Sequence, residues 1–177
     1  LMNILLRAKE LMTLGHDLDA SDSLKFLLQN KEAFNLNDSE VWLKHFLKLD
    51  DFDILYSIKQ WIDADDKIIG EMCKRLINRQ LLKVKQLNAP LTESEIKKWR
   101  EKAAKLYQVS PEDARYFVFQ NSISNSAYSS GDDSINILYK DGTARDISES
   151  ASIFRFSSLE AIETKHFVYF PEGINVQ

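Results

Sequence analysis

Arg75 and Arg79 stand four residues apart, so on a helix they share one face. Lys83 and Lys85 follow two apart. In an extended chain they fall on one side, with Leu82 and Val84 on the other. Guanidinium forks and ammonium groups gathered where a helix meets a strand have the chemistry of a triphosphate site. The same residues also suit a solvated helix end, and spacing alone does not favour the phosphate site over it. They belong to a wider basic stretch. Residues 74–105 hold ten Lys or Arg against three acidic residues, a local charge of +7, so the rest of a chain of net charge −4 carries −11. Such a stretch attracts phosphates, whether of nucleotides or of nucleic acid.

Other reactive types are sparse. His16-Asp17 offers two adjacent metal-ligating side chains, but no other His precedes them, and Gly15-His16-Asp17 reads as a polar turn between helices. His45 and His166 have no Asp, Glu or Cys at ligand spacing. Cys73 falls on an apolar helical stripe, where a thiol is a buried core group rather than a nucleophile. Asp50-Asp51 and Asp63, Asp65 and Asp66 sit at helix starts, where capping accounts for them. There is no Gly-rich phosphate loop and no nucleophile-elbow pattern. No catalytic residue and no metal ligand is assigned.

The elements that must position the basic segment follow from hydrophobic periodicity. Ile4, Leu5, Ala8, Leu11 and Met12 predict a first helix stopped at Gly15, and Ser21 or Asp22 caps a second with Leu24, Leu27 and Leu28. A third starts near Asn37-Asp38-Ser39-Glu40, with Val41, Trp42, Phe46 and Leu47 apolar. A fourth shows Ile54, Leu55, Ile58 and Trp61 on one face. Asp65-Asp66 opens a fifth, striped by Ile68, Ile69, Met72, Cys73, Leu76 and Ile77. After Asn88-Ala89-Pro90, Thr92 and Glu95 form a capping box for a helix with Ile96, Trp99, Ala103 and Leu106 inward. Ser110-Pro111-Glu112-Asp113 reads as a further helix start.

Beyond Arg115 the pattern turns to strand. Tyr116-Phe117-Val118-Phe119 is aromatic and β-branched, and Asp141-Gly142 marks a hairpin. Residues 122–134 read as a loop, 157–163 as a short helix, and His166 to Phe170 as a last strand. The fold expected is mainly α with a C-terminal α+β lobe, a small antiparallel sheet with one or two helices. Residues 1–88 form the helical lobe, 89–107 a connecting helix and 108–177 the α+β lobe.

Composition bounds the rest. The 177 residues are 44% hydrophobic and 28% charged, with five Gly, three Pro and one Cys. This is an ordinary globular balance, without a disulfide framework, and it points to the cytoplasm. The opening apolar run is broken by Arg7 and Lys9 and is too short to span a bilayer, so no membrane partner is expected.

The run Phe46-Leu47-Lys48-Leu49-Asp50-Asp51-Phe52-Asp53-Ile54-Leu55, an intervening helix, and Arg75-Leu76-Ile77-Asn78-Arg79-Gln80-Leu81-Leu82-Lys83 carry a resemblance. Together they resemble the region that follows the catalytic core in HD-superfamily deoxynucleoside triphosphate triphosphohydrolases. That family includes the vertebrate SAM-and-HD-domain dNTPase and many bacterial HD phosphohydrolases. Leu6 to Leu11 and Ala20 to Leu27 are similar to the bacterial branch, and Phe167-Val168-Tyr169-Phe170-Pro171 is compatible with the family's last lobe.

The resemblance implies a C-terminal, non-catalytic part of such an enzyme, in agreement with a chain that starts at Leu rather than Met. The metal-binding His and Asp residues would lie in the core N-terminal to it, so the divalent metal is expected there and no cofactor in this chain. The implied partners are the rest of that core, further copies in a homo-oligomer, and a nucleoside triphosphate. In nucleotide-regulated members, the Arg and Lys matching Arg79 and Lys83 contact the phosphates of an activator at a subunit interface. Arg75 and Lys85 join them on geometry alone. The alternative is a free-standing helical module that uses residues 74–105 for nucleic acid.

Overall fold

The computed structural model describes residues 1–30, 39–125, 136–146 and 163–174. The chain is a mixed α+β fold. Among the described residues, five helices come first: α1 (Met2–Thr13), α2 (Asp22–Gln29), α3 (Ser39–Phe46), α4 (Asp51–Gln60) and α5 (Lys67–Ile77). Strand β1 (Lys83–Leu87) and helix α6 (Glu93–Tyr107) follow, then β2 (Phe119–Asn125), β3 (Asn136–Leu138), β4 (Ala144–Asp146) and β5 (Glu163–Phe170). Three strands form an antiparallel sheet in the order β1-β5-β2, and β3 and β4 form a separate hairpin. Among the described residues, no helix is long and apolar enough to cross a membrane.

The helix starts are where side-chain chemistry requires them. The Ser21 hydroxyl accepts from the Leu24 N–H. Asp50 accepts from Phe52 and Asp53, and Asp53 accepts in return from the Asp50 N–H. Thr92 and Glu95 complete the same reciprocal box on α6. The α5 stripe of Ile68, Ile69, Met72 and Cys73 is buried, as are Ile4, Ala8, Leu11 and Met12 of α1. Gly70 lets α5 close on the 3₁₀ turn at Trp61–Asp63, because a Cβ there would lie 3.0 Å from the Ile62 carbonyl oxygen. Trp61, fully buried, donates its indole N–H to the Asp19 carbonyl at 2.8 Å.

The sheet joins distant parts of the chain. β1, from residues 1–88, pairs along β5, with Lys83 opposite Phe170 and Leu87 opposite His166. β2 covers the other edge of β5, from Phe119 opposite Tyr169 to Asn125 opposite Glu163. The Gln120 side chain bridges to both backbone groups of Leu91, at 2.8 and 3.2 Å. Helix α6 packs Trp99 edge-on against Phe170 (centroids 5.4 Å apart) and stacks Tyr107 on Phe117 at 4.1 Å. Residues of α1, α5, α6, β5 and the 113–118 segment therefore share one core.

Several sequence expectations are corrected. Tyr116, Phe117 and Val118 are buried but not strand: a 3₁₀ turn at Asp113–Tyr116 holds them, and β2 starts at Phe119. Their apolar character reflects burial from all sides, which sequence pattern does not distinguish from a strand. Ser110 caps only that turn, through the Asp113 N–H, and not a helix. Trp61 sits in a 3₁₀ turn, while Leu55 and Leu106 face outward. Val41 and Phe46 of α3 are also exposed; Trp42 and His45 make the inward contact with Phe26. Residues 122–125 extend β2 instead of forming a loop, and Glu163 opens β5 instead of ending a helix. The remainder of those two segments, residues 126–134 and 157–162, lies outside the described residues, as do Asn37 and Asp38. The Asp141-Gly142 hairpin is present, with Gly142 at φ +83°.

One polar cluster ties the helices to the start of the sheet. Arg7 grips Asp66 through two bonds (2.6 and 3.3 Å) and reaches Glu10 at 3.3 Å and Asp113 at 3.5 Å. Arg115 binds Glu10 at 2.9 Å, and both guanidiniums lie over the Tyr116 ring. Burial raises the Asp66 carboxyl, but the Arg7 hydrogen bond and charge and the Ile69 N–H outweigh it, leaving Asp66 below its ordinary 3.8. A depressed carboxylate stabilises the fold above its unfolded pKa, and the stabilisation is lost as pH falls through the folded one. Arg7→Met is expected to cost about 2 kcal/mol at pH 7, less than a fully buried pair because both groups keep some solvent contact. Urea unfolding at stepped pH checks this: the gap between wild type and variant should close as the pH drops below 3.8.

Candidate functional site

Helix α5 delivers the basic segment. Its C-cap is Asn78, after which Arg79 takes the left-handed conformation at φ 57°. The Gln80 N–H donates to the Arg75 carbonyl at 2.8 Å and the Arg79 N–H to Leu76 at 3.2 Å. This is a Schellman closure, with arginine where glycine is the usual residue. It turns the chain out of the helix and into β1 within a few residues.

The four cations meet different fates. Arg75 is partly buried: its Nε donates to Glu71 at 2.8 Å, its Nη1 to the Gln80 carbonyl at 3.2 Å, and its guanidinium lies over the Tyr107 ring at 5.3 Å. It is a clip for the end of α5. Lys83 pairs with Glu172 at 2.8 Å on the surface. Hydrogen bonding and charge from Lys83, with a smaller contribution from Arg75, hold the Glu172 carboxyl below its ordinary range. Arg79 and Lys85 are exposed and enter no ion pair among the described residues. Lys83 and Lys85 share the sheet face of Phe170 and Val168, while Val84 points the other way with Tyr169 and Phe119, as alternation in an extended chain requires.

Against that second face lies a largely apolar cavity of about 260 Å³, walled by Met2, Leu81, Leu82, Phe119 and Tyr169, with Arg75 at its edge. The rings of Phe119 and Tyr169 stack at 4.7 Å. Electrostatically, the C-terminal end of α5 carries the negative pole of the helix, which the cations around it offset.

The other sequence candidates are placed as follows. Asp17 binds Lys25 at 3.0 Å, and His16 is exposed beside a cleft that Asp63, Asp65 and Asp66 also line. His45 stacks on Phe26 at 4.0 Å and bonds Ser23 through Nδ1. His166 lies within β5, its Nδ1 2.7 Å from the Ser122 hydroxyl. Cys73 is fully buried, and burial pushes its thiol up to about 12. Among the described residues, no three His, Cys, Asp or Glu side chains converge as a metal site. Sequence spacing did not reveal Glu172 as the partner of Lys83, because the two are joined only through β1–β5 pairing.

No family model matches the chain. It is similar to an uncharacterized Bacillus subtilis protein, YwfO, at 26% identity over 98% of this chain and 39% of that protein. The solved structure of a phosphohydrolase from Bacteroides thetaiotaomicron shares the fold, with a TM-score of 0.79 and 34% identity over 96% of this chain and 42% of the other. The chain thus spans about two fifths of the length of each.

The backbone geometry yields a direct expectation. Arg79→Gly removes the strain of a side chain at positive φ and should stabilise the fold by about 1 kcal/mol, read from the urea midpoint.

Proposed function

We propose that the chain is the C-terminal, non-catalytic part of an HD-type dNTP triphosphohydrolase, and that Arg79, Lys83 and Lys85 hold the phosphates of a nucleotide beside the end of α5. The observation that supports this reading is the likeness to a phosphohydrolase at 34% identity, over almost all of this chain but only 42% of that one. The parent reaction in this reading converts a dNTP and water to a deoxynucleoside and inorganic triphosphate. Asp17 pairs with Lys25 and Asp66 with Arg7, and among the described residues no three His, Cys, Asp or Glu side chains gather as a metal site. No step of hydrolysis is therefore assigned to them.

What these side chains supply is charge and geometry. The Arg79 fork takes two oxygens of one phosphate, and the ammonium groups of β1 offset the rest of the triphosphate's charge. Lys83 must release Glu172 to do so. That pair is exposed and screened by solvent, so the exchange costs little.

Calorimetric titration of the chain with inorganic tripolyphosphate tests the assignment. Arg79→Ala and Lys83→Ala should each weaken binding about tenfold, and Glu172→Gln should tighten it up to about fivefold. Equal binding by all variants, or preference for an oligonucleotide with a steep salt dependence, contradicts the nucleotide site. Metal-dependent triphosphate release by the chain alone contradicts the non-catalytic role.

A further inference from the structure

Arg75 belongs to the basic segment, yet its donors are already committed. Its Nε donates to Glu71 at 2.8 Å and its Nη1 to the Gln80 carbonyl at 3.2 Å. A guanidinium offers a phosphate two bidentate edges, Nε with Nη2 and Nη1 with Nη2. Each edge of Arg75 has one nitrogen in use, so two bonds to one phosphate would require breaking a bond that it makes. The side chain is only 19% exposed, and its guanidinium lies over the Tyr107 ring, which stacks in turn on the buried Phe117. This is the environment of a support and not of a ligand-binding fork.

What these bonds hold is the turn that carries Arg79. Arg75 and Gln80 are joined twice, by Nη1 on the Gln80 carbonyl and by the Gln80 N–H on the Arg75 carbonyl at 2.8 Å. The two bonds bracket Arg79, whose φ of 57° carries a steric cost in any residue with a Cβ. Glu71, one helical turn before Arg75, fixes the guanidinium that makes one of them. We infer that Glu71 and Arg75 are positioning residues for the phosphate site: they lock Arg79 in its displayed conformation and do not touch the ligand. The inference rests on the nucleotide-phosphate reading above. It adds to that reading an acidic residue whose own charge opposes an anion.

The sign of one substitution separates the two roles of Glu71. Through charge alone, its loss would tighten tripolyphosphate binding; through the clip, its loss must weaken it. Calorimetric titration of the 177-residue chain with inorganic tripolyphosphate is expected to show Glu71→Ala and Arg75→Met each weakened about fivefold. Glu71→Gln keeps an acceptor for Nε and should bind like wild type. In the Arg79→Ala background Arg75→Met should cause no further loss, because a residue that acts through Arg79 has nothing left to position. Tighter binding by Glu71→Ala, or a further loss from Arg75→Met on top of Arg79→Ala, overturns the inference. Amide hydrogen exchange reads the turn without ligand. The Arg79 and Gln80 N–H groups should exchange at least about fivefold faster in Glu71→Ala and in Arg75→Met, with Ile69 and Met72 unchanged. Unchanged exchange at Arg79 and Gln80 overturns the clip alone, whereas full binding by Arg79→Ala overturns the phosphate site and this role with it.

Discussion

Asp66 holds two parts of the chain at once. Its carboxylate accepts the Ile69 N–H and so starts α5, while the same two oxygens receive the Arg7 guanidinium from α1. Through Arg7 the contact extends to Asp113 and Glu10, and so to the 3₁₀ turn that leads into β2. The direction of α5, and therefore the place where its far end releases β1, depends on this one anchored carboxylate. Without it the apolar stripe of α5 would still bury, but nothing polar would fix its rotation about α1.

The two ends of α5 differ in what they leave open. At the start, Asp66 is held by the Arg7 guanidinium and by the Ile69 N–H. At the end, Arg75 is tied down by Glu71, Gln80 and Tyr107, whereas Arg79 is displayed at the cost of a left-handed backbone. Strain of this kind persists where the surroundings over-determine it. Here the two Schellman hydrogen bonds and the pull of β1 into its pairing with β5 do so. The result is a helix end that displays Arg79, with Lys83 and Lys85 on the sheet face of Phe170, where Trp99 of α6 packs, and the apolar cavity against the other face.

Much of this was legible in sequence where the cause is local. Ser21, Asp50, Asp66 and Thr92 cap as their spacing requires, and the stripes of α1 and α5 mark the faces that bury. Alternation in an extended chain puts Lys83 and Lys85 on one side, as they stand in β1. What stayed hidden has non-local causes. Tyr116-Phe117-Val118 reads as strand, because burial on all sides erases periodicity. Arg7 looks like an interruption of an apolar run until Asp66, fifty-nine residues away, is brought beside it. Leu55 and Phe46 read as core because helical pattern marks apolar faces without saying whether the chain itself covers them.

The reading of the chain as one portion of a larger hydrolase is tested most directly by the encoding reading frame upstream of Leu1. The account predicts an in-frame His, a His-Asp pair and a further Asp, carried on helical segments ahead of α1. An in-frame start codon directly before Leu1, with a stop codon behind it, would contradict that account and leave a free-standing binding module.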